Sequence, residues 1–469
     1  MDALYNIVCT INSYLSNYVL LVLLIGAGLF FSIRTRFVQV RCFGEAARSL
    51  FGGFNLNGEK KKGSMSSFQA LATAVAAQVG TGNIVGASGA ILLGGPGAIF
   101  WMWLIAFLGM STNYAEAVLA QKTRVVDADG TVHGGPVYYI KTAFKGKFGT
   151  FLAGFFAVAI ILALGFMGCM VQSNSIASTC NTAFGIPTWV MGLLVVAISG
   201  FVFIGGVSRI ASVTEKLVPA MALLYIVGGI VVLIANAPHV PEAFALIFTC
   251  AFSPEATFGG MTGGMIAAIT QGAKRGLFSN EAGMGSTPHA HALADVKDPH
   301  DQGIMAMMGV FIDTIIVVSV TALVVITVLY TGDGAFATGA IEGIDKTNMA
   351  QLAFSSFMGN SIGSAFVAIC LLFFAFSTII GWNLFAKINV IYLFGKKAVP
   401  AFSVIALVFI FLGSLLSNDL VWELADLFNQ LMVLPNVIAL VALSGMVVAC
   451  VKHHDQVKAE AKLEAAKAE

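Results

Sequence analysis

Residues 78–83 read Gln78-Val79-Gly80-Thr81-Gly82-Asn83, and they interrupt an apolar stretch, 66–93, long enough to cross a bilayer. Two glycines and an Asn are poor content for a plain membrane anchor. Glycine inside a helix costs roughly 1 kcal/mol relative to Ala. Backbone released from a helix is tolerated in hydrocarbon only where protein buries it or where it lines a cavity. The stretch therefore predicts a helix broken at mid-membrane, the device on which many secondary transporters build a substrate and ion site. The competing reading is close helix packing by small residues, and Ala70, Ala72, Ala74, Ala76 and Ala77 would serve it. A second break tips the balance. Residues 271–286 read Gln271-Gly272-Ala273-Lys274-Arg275-Gly276-Leu277-Phe278-Ser279-Asn280-Glu281-Ala282-Gly283-Met284-Gly285-Ser286, again inside an apolar stretch.

The rest of the chain fits a membrane frame. Its 469 residues are 58% hydrophobic and 10% charged, with mean hydropathy +0.88, whereas a soluble domain carries about 25% charged residues. The start, Met1-Asp2-Ala3-Leu4, has no basic n-region, so no cleaved signal peptide is expected. Eleven spans are expected, at 16–33, 66–93, 96–121, 150–180, 188–206, 213–236, 258–290, 303–330, 361–386, 400–416 and 427–451. With alternate connections assigned to one side, 24 of the 25 Lys and Arg fall on that side, and Lys346 alone falls on the other. Lys60, Lys61 and Lys62 in the loop 34–65 are part of this majority; Lys274 and Arg275 belong to it only if they lie outside the bilayer. The positive-inside rule then puts the N-terminus outside and the C-terminus in the cytoplasm, as an odd span count requires. A prokaryotic cell membrane is the expected location.

The two breaks divide the chain. Residues 1–65 supply an extra helix and a basic loop. Residues 66–236 form a first five-helix repeat, 237–451 an outer connection and a second repeat, and 452–469 a charged tail. Five is odd, so the second repeat enters from the opposite side, and the expected fold is all-α with a 5+5 inverted repeat. The tail, rich in Ala, Lys and Glu, reads as a solvated helix or a disordered end.

The half-helix after the first break would offer N–H groups and positive dipole to a carboxylate. The half-helix before it would offer carbonyls to a cation. This suits a small zwitterion with a cation beside it. In 374–382, Thr378 and Trp382 lie four apart and share a helix face, placing a hydroxyl beside a large apolar wall. Gln172 would face the same pocket or make an interhelical hydrogen bond. Residues 94–109, Gly94-Gly95-Pro96-Gly97-Ala98-Ile99-Phe100-Trp101-Met102-Trp103-Leu104-Ile105-Ala106-Phe107-Leu108-Gly109, read as an outer turn and an interfacial aromatic belt without direct chemistry. Asp313, Glu116 and Glu281 are intramembrane carboxylates, which default to functional hypotheses. Asp313 is read as a cation ligand, a proton relay or the partner of Lys274 or Arg275. His289, His291 and His300, with Asp295, Asp298 and Asp301, read as a solvated cytoplasmic loop, since no zinc-ligand spacing is present. Cys180 and Cys250 could both reach the outer face, but no disulfide is expected.

At these residues the chain resembles the alanine or glycine:cation symporters of bacteria and archaea. The stretch 94–109 looks like that family's signature, and 276–286 and 374–382 look like its conserved blocks. The resemblance spans nearly the whole chain. It implies the leucine-transporter fold and sodium-driven uptake of alanine or glycine, with protons replacing sodium in some members. Carried over by position, the carbonyls of Ala76 and Val79 with the hydroxyls of Ser377 and Thr378 would hold one sodium. Thr81, Gly82 and Asn83, with Gly283 from the second break, would meet the substrate, and Trp382 would line its side-chain pocket. A second sodium would use the Gln78 carbonyl and the Asn83 side chain, with Asp313 as an added ligand; Gln78 stands where the wider superfamily has a small residue. The implied partners are alanine or glycine, sodium ion and the lipid bilayer, with no organic cofactor, nucleic acid or obligate protein partner. The rivals are a channel or a proton-coupled exchanger on the same scaffold and, more remotely, a membrane-embedded enzyme using the His/Asp cluster.

Overall fold

The computed structural model describes residues 2–52, 65–128, 130–253, 256–258, 261–416 and 418–468. Lys60, Lys61 and Lys62 lie outside them. Among the described residues, eight helices are long and apolar enough to cross a membrane, or nine with one bent pair counted as a span. The eight are Tyr5–Arg34, Ala98–Thr123, Gly146–Phe184, Gly206–Ala235, Pro299–Leu329, Asn360–Phe394, Lys396–Leu415 and Asp419–Ala442. Thr188–Ile204 and Ala237–Phe252 are shorter apolar helices. Two small antiparallel hairpins, at Val125–Val126 with Val132–His133 and at Ala256–Phe258 with Met261–Gly263, are the only strands there. The outward faces remain apolar. Leu193, Ile204, Leu223 and Ile234 are all exposed, as a lipid-facing surface requires.

The expected first break is real. Ser67–Gln78 and Gly82–Gly94 are two helices inclined at 49°. The first begins with a capping box: the Ser66 hydroxyl accepts from the Gln69 N–H while the Gln69 side chain accepts from the Ser66 N–H. Val79 leaves the helix with ψ near +93°. The half-helix Ser67–Gln78 packs among Gly206–Ala235, Asn360–Phe394 and Pro299–Leu329, so its freed backbone sits at the centre of the bundle.

The second break follows the helix Met265–Asn280. Glu281, Gly283 and Gly285 all have positive φ, and the chain resumes as the short helix Pro288–Ala292. The turn at Gly95, also at positive φ, leads into Ala98–Thr123. There Phe100 and Trp101 pack on Phe252, and the Trp101 indole donates to the Ala251 carbonyl at 3.1 Å. The aromatic belt is thus the seat of the helix Val240–Phe252.

Two expectations are corrected. The last span begins at Asp419, not at 427. Acidic residues made 419–426 look too polar to enter the bilayer, but each of them is paired. Lys346 meets Asp419 at 2.9 Å, Lys274 meets Glu423 at 3.4 Å and Asp426 at 2.7 Å, and Arg275 meets Asp426 at 3.2 Å. These pairs also relocate Lys274 and Arg275. Arg275 and Lys346 lie over the same Trp422 ring, at 4.6 and 5.5 Å from its centroid, so Lys274 and Arg275 share the side of Lys346. Moving them leaves 22 basic residues on one side and three on the other.

Candidate functional site

The candidate site is the joint between the two halves of the first broken helix. When the chain leaves the helix at Val79, the carbonyls of the last turn lose their intrahelical partners, and hydroxyls from the helix Asn360–Phe394 reach them. Thr378 Oγ1 donates toward the Ala76 carbonyl at 3.0 Å and the Val79 carbonyl at 3.4 Å. Ser377 Oγ lies 3.2 Å from the Ala76 carbonyl. Four oxygens therefore converge from two elements, and all four expected sodium ligands, Ala76, Val79, Ser377 and Thr378, stand together. Each hydroxyl has a fallback acceptor one turn back at the Phe374 carbonyl. A hard cation, which takes oxygen ligands, fits this donor set.

Gly80 makes the approach feasible. A β-carbon there would lie 2.3 Å from Thr378 Oγ1 and 3.0 Å from Gln172 Oε1. The Thr81 N–H donates to Gln172 Oε1 at 3.0 Å, an interhelical hydrogen bond that brings Gln172 to the break. Asn83 is used differently from the expectation of a free substrate contact. Its Oδ1 accepts from the Gly80 N–H at 2.8 Å, and its amide donates to Asp313 Oδ1 at 2.6 Å. Gly82 packs against the Ser279 backbone, where a β-carbon would sit at 3.0 Å. Thr81, Asn83, Ser377 and Thr378 are wholly buried, and the Thr81 hydroxyl has no hydrogen-bond partner.

Asp313 is not the partner of Lys274 or Arg275, which are paired with Asp426 instead. It accepts from Asn83, from Ser279 Oγ at 2.9 Å and from Thr314 Oγ1 at 2.7 Å. Asn280 in turn donates to Thr314 Oγ1 at 3.1 Å, and Gln78 donates to the Asn280 carbonyl at 2.6 Å. Asp313 thus ties the two breaks to each other.

Trp382 and Gly283 belong to the second break. The Trp382 indole N–H donates to the Glu281 carboxylate, its ring meets Phe278 edge-on at 5.7 Å, and it fills the space over Gly168. Gly283 stands apart from the Thr81–Thr378 group. Its N–H donates to Glu116 Oε2 at 3.1 Å, and the Gly285 N–H donates to Glu116 Oε1 at 2.9 Å. Asn436 donates to the same carboxylate at 2.6 Å and receives the Tyr139 hydroxyl. Sequence reasoning missed Asn436, Tyr139, Asp426 and Trp422; their partners lie far away in the chain, so no spacing announces them.

The histidines are not a solvated loop. His289, His291 and His300 are all fully buried. His289 lies 2.8 Å from the Ser286 carbonyl and from the Asn389 amide, His291 lies 2.7 Å from the Gln302 amide, and His300 lies 2.8 Å from the Tyr114 hydroxyl. Tight packing beneath the second break, with a hydrogen-bond partner for each ring, removed them from solvent.

Comparison with known proteins agrees with this architecture. The sodium:alanine symporter family matches residues 1–468. A protein of Methanococcus maripaludis described as sodium/alanine symporter AgcS is 39% identical over 459 residues, covering 97% of this chain and 99% of that protein. A Bacillus subtilis protein described as the probable sodium/glutamine symporter GlnT is 39% identical, covering 98% of this chain and 92% of that protein. Among solved structures, MhsT in complex with L-phenylalanine superposes with TM-score 0.59 at 14% identity, covering 84% of this chain and 99% of that one. A Na+-coupled sialic acid symporter superposes with TM-score 0.52 at 13% identity, covering 86% of this chain and 82% of that one. The fold is therefore that of the leucine-transporter-like carriers, and the protein is a cation-coupled transporter, not an enzyme. The chain belongs to the sodium:alanine symporter family.

Proposed function

We propose that this protein couples inward sodium movement to uptake of a small neutral amino acid, alanine or glycine, by alternating access. The observation that carries this reading is the convergence of the Ala76 and Val79 carbonyls with the Ser377 and Thr378 hydroxyls at a break in mid-bundle. A sodium ion there would turn both hydroxyls' lone pairs toward itself and join the helix Asn360–Phe394 to the first broken helix. The substrate carboxylate would take the Thr81 N–H from Gln172, at the positive end of the half-helix Gly82–Gly94. Gln172, Thr81 and Gly82 would hold the zwitterion, Asn83 would fix the break from within, and Trp382 would wall the side-chain end. In this reading 66–236 and 237–451 act as inverted repeats that rock about the fixed site. Each sodium crossing 100 mV contributes about 2.3 kcal/mol.

The substrate size is open to test, because one relative is described as a glutamine symporter. Proton coupling is the second reading. The buried Asp313 favours it, since it lies at the joint of both breaks, and a Bacillus subtilis relative is described as a putative sodium/proton-dependent alanine carrier. Purified protein in liposomes should accumulate labelled alanine or glycine against its gradient when sodium is high outside, and gramicidin should abolish the accumulation. Equal uptake with potassium in place of sodium would remove sodium coupling. Uptake driven by a proton gradient alone would move the coupling to Asp313.

A further inference from the structure

We propose that Cys42, Glu45 and His300 form a binding site for one borderline divalent transition-metal ion, with Zn²⁺ as its probe, on the face where the tail helix Ser444–Ala468 docks. No motif joins these residues: Cys42 and Glu45 lie at the start of the short helix Phe43–Gly52, and His300 lies in the first turn of the helix Pro299–Val310. The fold brings one ligand atom from each to within 4.8 Å of the other two. Small side-chain rotations close that separation to the roughly 3.5 Å kept by ligands of one tetrahedral Zn²⁺.

Two of the three groups are already held by neighbours. The His300 ring is fully buried, and its Nδ1 lies 2.8 Å from the Tyr114 hydroxyl. Its Nε2 is buried without a hydrogen-bond partner, and the ring offers a nitrogen to the cluster. A ligating histidine is usually held in this way, with one ring nitrogen on an outer group and the other on the metal. Cys42 is a buried free thiol, and Cys, His and a carboxylate together make a donor set that zinc accepts. Glu45 is held in place by the Lys458 ammonium at 2.6 Å.

The tail helix supplies the fourth direction. The His454 ring stacks on His300 with centroids 3.6 Å apart, and its Nε2 lies 3.3 Å from Glu45 Oε1. Arg41 pairs with Asp455 at 3.1 Å on the same face. An ion held by Cys42, Glu45 and His300, with His454 or water completing four-coordination, would staple the tail and the short helix Phe43–Gly52 to the helix that carries Asp313. The histidines adjacent in sequence, His289 and His291, take no part; both are spent on other partners.

The test is binding, independent of transport. Chelator-stripped, full-length protein in detergent is titrated with Co²⁺. One equivalent should produce the near-ultraviolet thiolate-to-cobalt charge-transfer band and four-coordinate visible bands, and Zn²⁺ should displace both. Cys42→Ser should abolish the charge-transfer band. His300→Gln should weaken binding by at least about tenfold, the loss that even an outer-shell change causes. Zn²⁺ should raise the melting temperature of the wild type and not of Cys42→Ser. Wild-type protein that shows no charge-transfer band at saturating Co²⁺ overturns the site, and this outcome needs no variant to fold. A band of equal strength in Cys42→Ser overturns it too, by assigning the thiolate elsewhere.

Discussion

Glycine at position 80 lets the Thr378 hydroxyl reach the unwound backbone, since any β-carbon there would lie within 2.3 Å of that oxygen. The sodium hypothesis therefore rests on a short list of atoms, and Thr378 is the one whose chemistry can be changed without changing its shape. Thr378→Val removes one oxygen from a hard cation's shell. Apparent sodium affinity should fall by roughly tenfold or more, since an unmet polar partner is worth ~1–3 kcal/mol. Thr378→Ser keeps the oxygen and should keep most of the affinity. Sodium activation curves of uptake measure both, and an unchanged curve in the valine variant would remove Thr378 from the site. Asn83 carries the matching lesson about legibility. Its place at the break could be read from the sequence, but its bond to Asp313 could not, because that partner lies 230 positions away.

At the scale of the element, the two breaks are built differently. The first is held by hydroxyls and an amide, and the second by a carboxylate that collects two backbone N–H groups. Both breaks were legible because Gly and Asn interrupt apolar runs. The role of Glu116 was not, since it depends on N–H groups 167 and 169 residues away. Glu116→Gln keeps the shape but turns an N–H donor toward groups that are all donors. The second break should loosen, with a loss on the order of ~1–3 kcal/mol per unmet group, seen as a lower melting temperature in detergent. An unchanged melting temperature would show that the network holds the turn no better than water does. Trp382 spans both elements, since one turn separates it from Thr378 while its indole N–H is spent on Glu281. If its ring walls the substrate pocket, Trp382→Ala should weaken alanine uptake and admit valine, leucine or methionine as competitors, whereas Trp382→Phe should keep the exclusion while losing the bond to Glu281. Competition by an amino-acid panel checks both. An unchanged substrate ranking in the alanine variant would make Trp382 packing alone.

At the scale of the whole molecule, composition was enough to place the chain in a bilayer, but not to draw every boundary. Hydropathy reads a residue in isolation, so Asp419, Glu423 and Asp426 pushed the last span eight residues late, although each lies against a cation contributed by another segment. The same blindness put Lys274 and Arg275 with the cytoplasmic charges. Moving them to the side of Lys346 lowers the asymmetry to 22 against three, and that residue still leaves the positive-inside rule with one answer. The answer has a direct check. Lys145 and Asp345 are both exposed and lie in connections assigned to opposite sides. Cysteines introduced there, in protein whose native thiols are mostly buried, should differ toward an impermeant maleimide applied to intact cells. Asp345→Cys should react at once, and Lys145→Cys should react only after the membrane is opened. If the labelling is reversed, the whole frame inverts: the tail and the cluster around His300 would face outward, and a sodium gradient directed into the cell would meet the other mouth of the site first.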